Sequence, residues 1–260
     1  MRILFIGDIF GHPGRRIVKD LLPALEKEFA PDLVLANAEN AAAGFGITPA
    51  LVEELLDMGI AVLTSGNHIW DKKEIYSYLT DHADGRLLRP ANYPLGVPGH
   101  GLYLGQTRAG AGYAVLNLQG RVFMSPIDCP FRTADQQLAG IPAEVKIRIV
   151  DMHAEATSEK MSMGWYLDGR VTAVIGTHTH IPTADETILP QGAAYITDLG
   201  MTGPYDSVIG VDKQLVIQKF LCQIPARFEV AKGDVRLNAV LIEADPVTGR
   251  ATSIQRIVRK

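Results

Sequence analysis

The sequence predicts an α/β fold whose functional groups gather at the carboxyl ends of its strands. Three observations carry this. The first seventy residues alternate apolar, strand-like runs with amphipathic helical patterns, which implies parallel strands joined by right-handed crossovers. Five apolar runs end in side chains that bind metals or move protons. After a Gly- and Pro-rich middle, strand–helix patterning returns around residues 147–175. One polar strand end means little; five point to a site built at one sheet edge, where ligands of α/β proteins collect.

Ile3–Gly7 reads as the first buried strand, and Asp8 ends it. Arg15–Phe29 is helical in pattern, with Ile17, Val18, Leu21, Leu22 and Leu25 on one face. Leu33–Ala36 is the next strand and leads to Glu39 and Asn40. Thr48-Pro49 opens a helix as N-cap and first-turn proline, Leu51, Leu55, Leu56 and Met58 supply its stripe, and Gly59 ends it. Ala61–Ser65 is the third strand, followed by Asn67 and His68. Residues 84–131 hold short strand-like pieces at Leu102–Leu104 and Tyr113–Leu118. Ile147–Val150 leads to His153, a helix is expected near 158–168, and Val171–Ile175 leads to Gly176-Thr177-His178-Thr179-His180. The remainder reads mostly as strands: Ala194–Asp198, Gln214–Leu221, Phe228–Val230, Val235–Ala244 and Ile254–Val258, with Lys232-Gly233-Asp234 as a hairpin turn. No repeat or long linker interrupts the chain, so residues 1–260 read as one domain built on two sheets; a division near residue 100 is the alternative.

Composition narrows the function. The chain has 260 residues, 47% hydrophobic and 21% charged, which is ordinary globular usage. Its net charge of −4 gives no overall nucleic-acid footprint, so an RNA partner is left open without support from charge. Cys129 and Cys222 are too few for a disulfide framework. The first apolar run is stopped by Asp8, too early for a signal peptide. A cytoplasmic location with no membrane partner is the expectation; a homo-oligomer is left open.

Residues directly after buried strands are held rigidly, as divalent-metal ligands must be. His178 and His180 lie two apart, so on an extended segment they address one place or two adjacent ones. A carboxylate such as Glu39 has two oxygens and can bridge two ions, and two ions about 3.5–4 Å apart clamp the attacking and leaving oxygens of a phosphoryl transfer. Gly7-Asp8-Ile9, Asn37-Ala38-Glu39-Asn40, Gly66-Asn67-His68-Ile69-Trp70-Asp71, Asp151-Met152-His153-Ala154-Glu155, Gly176-Thr177-His178-Thr179-His180 and Asp198–Pro204 follow in order over nearly the whole chain. In that order they resemble the calcineurin-like metallophosphoesterases, and among them the YmdB-type phosphodiesterases.

The resemblance implies a four-layer αββα sandwich with mixed sheets and a binuclear centre. It places Asp8, Glu39, Asn40 and His180 on one ion and Glu39, Asn67, His153 and His178 on the other. His68 beside them becomes the acid that protonates the leaving oxygen. Two departures from the superfamily pattern stand out: Phe10 replaces the His of the usual Asp-x-His block, and Glu39 replaces a bridging Asp. Asn40 supplies the missing ligand by the same resemblance. The implied activity is hydrolysis of 2′,3′-cyclic or 3′,5′-cyclic nucleotides. Iron is the first expectation for the metal and manganese the next, with zinc or cobalt permitted by the N/O ligand set. The rival readings are a phosphomonoesterase or 5′-nucleotidase on the same scaffold, and a non-catalytic nucleotide-binding regulator.

Each residue also has a structural reading: Asp8 as a helix cap, His153 as a core histidine, Asn67-His68 as a turn. His12, His82 and His100 read as surface or loop histidines, His12 being the reserve ligand; Trp70 and Trp165 read as core or pocket wall, and Cys129 as structural. Gly44–Pro49 imitates a dinucleotide fingerprint but has proline where the third glycine belongs.

Overall fold

A computed structural model describes residues 1–83, 85–225 and 227–260. Two six-stranded mixed sheets pack face to face, with helices on both outer faces. This is the αββα sandwich that the resemblance implied.

The first sheet runs β11 (Val235–Ala244), β1 (Arg2–Ile6), β2 (Leu33–Asn37), β3 (Val62–Thr64), with β10 (Gly203–Pro204) and β12 (Ala251–Arg259) on β11. β1, β2 and β3 are parallel. Period-two alternation splits each strand between two cores. Leu4 and Ile6 face α1 (Gly11–Phe29) and α2 (Pro49–Asp57), while Ile3 and Phe5 face the second sheet. Burial on both faces explains why these strands read as continuous apolar runs.

The second sheet has the order β4 (Leu102–Gln106), β5 (Gly112–Gln119), β6 (Ile147–His153), β7 (Ala173–Thr177), β9 (Ala194–Ile196), β8 (Thr187–Ile188). β5, β6, β7 and β9 are parallel. α4 (Pro130–Ala139) and α5 (Thr157–Leu167) cover its outer face through Ala134, Leu138, Met163 and Leu167. Val115, Ile149 and Ile175 of this sheet meet Ile3, Phe5 and Leu35 of the first.

The last third departs from expectation. Gln214–Leu221 is not a strand but the core of α6 (Lys213–Cys222). Asp212 caps it, its carboxylate accepting from the Gln214 and Leu215 amides at 2.9 and 3.3 Å. Val216 is the helix's buried residue and Phe220 and Leu221 are exposed, so its apolar run does not mark a strand. Phe228–Val230 makes only an isolated bridge, Val230 to Val211, so Lys232-Gly233-Asp234 joins no hairpin. α3 (Glu74–Asp81) and α4 are helices that the sequence patterning did not mark. No helix among the described residues is long and apolar enough to cross a membrane.

Candidate metal centre

The parallel strands of both sheets deliver Asp8, Glu39, Asn40, Asn67, His68, His153, His178 and His180 to one edge of the sandwich. Glu39, Asn40, His68, His178 and His180 line a cavity of ≈ 360 Å³, with Phe10 and Phe45 among its walls.

His153 is fully buried at the end of β6. Its Nδ1 donates to Thr177 Oγ1 at 2.9 Å, and that hydroxyl donates to Asp151 Oδ1 at 2.7 Å. His153 Nε2 then faces Glu39 Oε1 at 3.0 Å, Asn67 Oδ1 at 3.2 Å and His178 Nδ1 at 3.0 Å. His178 Nε2 is engaged by Glu155 Oε2 at 3.1 Å, which leaves the lone pair on Nδ1. Four acceptor atoms thus converge where a donor is needed. Glu39, His153 and His178 offer ligand atoms that all lie within 4.8 Å of one another, a spacing one metal ion could span.

Without a cation the cluster prefers a proton. Burial disfavours charge on His153, but Glu39, with Asp8 and Asp151 adding, raises its pKa to about 9. Burial likewise pushes Glu39 up, but His153 and the His68 backbone amide (2.9 Å to Oε2) hold it at about 2. Burial and then the His153 charge drive His178 down to about 3.

A second gap lies beside the first. His180 Nδ1 donates to Ile209 O at 2.9 Å, and burial keeps its ring neutral. Its Nε2 therefore presents a lone pair to Asn40 Oδ1 at 3.2 Å, while Asn40 Nδ2 donates to Gly44 O at 2.9 Å. Asp8 is wholly buried, and its Oδ1 has no hydrogen-bond partner among the described residues. Burial raises the Asp8 pKa well above the carboxylate range; His153 opposes this, and Asp198, Glu39 and Asp151 add to it. A buried carboxylate oxygen without a donor is costly unless a cation fills the place. Phe10, where a further His is usual, instead sets its ring edge-on to His180, with centroids 5.4 Å apart.

His178 and His180 are not on an extended segment. Both have positive φ, 102° and 66°. That conformation turns His178 towards His153 and His180 towards Asn40, so the pair serves two places. It is uncommon for residues other than glycine and is held by its surroundings. Asp198 accepts from the Thr179 amide at 3.0 Å and the Gly200 amide at 2.8 Å, and Lys160 Nζ pairs with it at 2.6 Å in a fully buried contact.

Sequence reasoning assigned no roles to Asp151, Thr177, Asp198, Lys160, Glu155 or Asp71. Asp151 carried a signal, since period two puts it on the His153 side of β6. Asp71 Oδ2 lies 2.8 Å from His68 Nδ1, one turn away. Gly66 has a steric reason: a Cβ there would lie 2.1 Å from His153 Cδ2. His12 lies outside the cavity, His82 is exposed, and His100 is tied to the Leu102 and Gly85 carbonyls. Trp165 is 57% exposed, so it is neither core nor pocket wall; it projects from α5 into solvent. Trp70 stacks on Tyr76.

Comparison with known proteins shows the family. The profile of the YmdB-like protein family matches residues 4–257. The chain is 48% identical to the 2′,3′-cyclic-nucleotide 2′-phosphodiesterase of Bacillus subtilis, over 99% of this chain and 97% of that one. Its fold superposes with TM-score 0.92 on a hypothetical protein from Thermus thermophilus, 42% identical, covering 100% and 99% of the two chains. It superposes with TM-score 0.93 on a Mycoplasma pneumoniae protein described as a novel phosphatase, 34% identical, covering 100% and 93%. The chain belongs to the YmdB-like family of the calcineurin-like metallophosphoesterases and is a metal-dependent phosphoesterase.

Proposed function

We propose that this site is binuclear and hydrolyses cyclic nucleotides, 2′,3′-cyclic monophosphates first and 3′,5′-cyclic monophosphates as well. The observation that carries the reading is the convergence of bare acceptors at two adjacent places, together with the orphaned Asp8 oxygen. Asp8, Glu39, Asn40 and His180 would hold one ion and Glu39, Asn67, His153 and His178 the other, with Glu39 shared between them. Iron or manganese suits this mixed nitrogen and oxygen set. When bound, such a pair supplies Lewis acidity and a nucleophile at neutral pH. Residues 1–260 act as one catalytic domain.

The protein's own groups complete the reaction. Water adds to phosphorus, one ester P–O bond breaks, and the departing ribose oxygen takes up a proton. His68 lines the cavity, and its Nδ1 is engaged by Asp71 at 2.8 Å, which leaves Nε2 to deliver that proton. Phe45, edge-on to His68 with centroids 5.0 Å apart, restricts the ring.

The test is turnover with added Mn²⁺ on 2′,3′-cyclic AMP, 3′,5′-cyclic AMP, bis-p-nitrophenyl phosphate and p-nitrophenyl phosphate. The reading expects both diester classes to turn over and the monoester to lag by at least tenfold. Faster monoester hydrolysis would establish a phosphomonoesterase; no turnover on any of them would leave only a binding role.

A further inference from the structure

Three cavities lie in a row from the metal site outward. The metal-site cavity (≈ 360 Å³) shares Phe228 with a second of ≈ 780 Å³. The second shares His12, Pro13 and Lys232 with a third of ≈ 420 Å³. The first is near the lower bound for binding a small ligand, about 300 Å³. A mononucleotide seated there would leave the two outer cavities idle.

The outer walls are cationic although the whole chain carries −4. Lys72, Arg15, Arg227 and Lys232 line the second cavity against one acid, Glu229. Arg16 and Lys260 extend the series in the third, against Asp20. Some of this charge is compensated: Arg15 lies 3.6 Å from Glu54, Arg16 lies 3.7 Å from Asp20 and Lys260 lies 2.9 Å from Asp234. Lys72, Arg227 and Lys232 make no ion pair among the described residues. Arg15 Nε is buried without a hydrogen bond.

We propose that these cavities form one groove for the phosphodiester backbone of an oligoribonucleotide whose terminal 2′,3′-cyclic phosphate enters the metal site. The proposal rests on the phosphodiesterase reading above for its inner end only. The cations are strung along a groove rather than gathered at one point, which suits a chain of single negative charges better than one polyphosphate. A groove of spaced cations that tracks the backbone is how single strands are bound without regard to sequence. Phe228 sits at the junction of the first two cavities, where a base has a ring to meet; Lys219 Nζ, 4.7 Å from that ring's centroid, adds another cation. A 2′,3′-cyclic phosphate ends a strand at its 3′ side, so the preceding phosphates run outward through the groove. The global charge that gave RNA no support concealed this local stripe.

The experiment uses the full-length, metal-loaded protein and its Arg227→Glu/Lys232→Glu variant, both changes lying outside the metal cavity. Binding of a fluorescent hexaribonucleotide with an ordinary 3′-OH is followed by anisotropy against salt. The three uncompensated cations that line the cavities, Lys72, Arg227 and Lys232, predict a log–log slope of about −2, and reversal of two of them a weakening of at least tenfold with a slope of about −0.7 or shallower. In parallel, kcat/KM is compared for 2′,3′-cyclic AMP and for the same hexamer ending in a 2′,3′-cyclic phosphate. The expected result is at least a tenfold preference for the hexamer, lost in the variant, with the mononucleotide rate unchanged within twofold. No salt-sensitive binding by the wild type, or equal binding by the variant, overturns the groove whether or not the protein is catalytic. Absence of turnover on both substrates with binding intact overturns the phosphodiesterase reading and leaves the groove standing.

Discussion

His180 Nε2 and Asn40 Oδ1 face each other at 3.2 Å with no proton to share, because the ring proton of His180 sits on Nδ1, donated to Ile209 O, and the Asn40 amide nitrogen donates to Gly44 O. Two acceptors in that posture repel unless a cation lies between them. Phe10 offers His180 only a ring edge, with centroids 5.4 Å apart, so in the proposed ligand set Asn40 would supply the donor that an imidazole at position 10 would otherwise provide.

Asn40→Ala is therefore expected to lower the occupancy of one ion and spare the other. Glu39→Gln is expected to weaken both, since one bridging oxygen loses its charge. Elemental analysis of protein purified without chelator reads both. Full metal content and full activity in Glu39→Gln would remove the bridge assignment.

His68→Ala is expected to cut turnover of a cyclic nucleotide by roughly 10²–10⁴ while metal content stays near normal. The loss should shrink on bis-p-nitrophenyl phosphate, whose leaving group needs little protonation. An equal kcat loss on both substrates counts against the acid role, and loss of metal would make His68 a ligand.

The protonation of His153 gives a pH signature. Its folded pKa of about 9 lies above the ordinary 6.5, so its contribution to the stability of the metal-free protein is full below 6.5 and is lost as pH rises through 9. Glu39, held at about 2 against an ordinary 4.5, contributes above 4.5 and loses this as pH falls towards 2. His178, lowered to about 3, works against folding below 6.5. Thermal melts of metal-free protein should therefore fall between pH 6.5 and 9. Metal must displace the His153 proton, so Mn²⁺ affinity should rise about tenfold per pH unit over the same window. A flat affinity profile would show that His153 carries no proton there.

Lys160→Met should destabilise the fold by about 3–5 kcal/mol, because Asp198 is left as an unpaired buried charge. Lys160→Met/Asp198→Asn should cost less than the single change. Urea unfolding decides this, and a single-variant cost under about 1 kcal/mol would show the pair to be replaceable by packing.

Much of this was legible because buried parallel strands are apolar on both faces and end abruptly at polar side chains. Asp8, Glu39, Asn67, His153 and His178 each follow such an end. The supporting groups were hidden for a different reason. Lys160 reaches Asp198 over a separation of 38 residues, and no local pattern marks a lysine whose partner is that distant. The direction of His180 depends on positive φ at two histidines, which extended-strand reasoning does not anticipate. α6 was misread because its apolar residues are largely solvent-exposed, so neither the helical nor the strand period reports a buried face.

The central claim is two ions at two named places. Anomalous diffraction at the manganese edge, from crystals grown with Mn²⁺, tests it directly. The expected result is two peaks per chain, one bounded by Asp8, Glu39, Asn40 and His180 and one by Glu39, Asn67, His153 and His178. A single peak under saturating metal, or peaks away from these side chains, would contradict it.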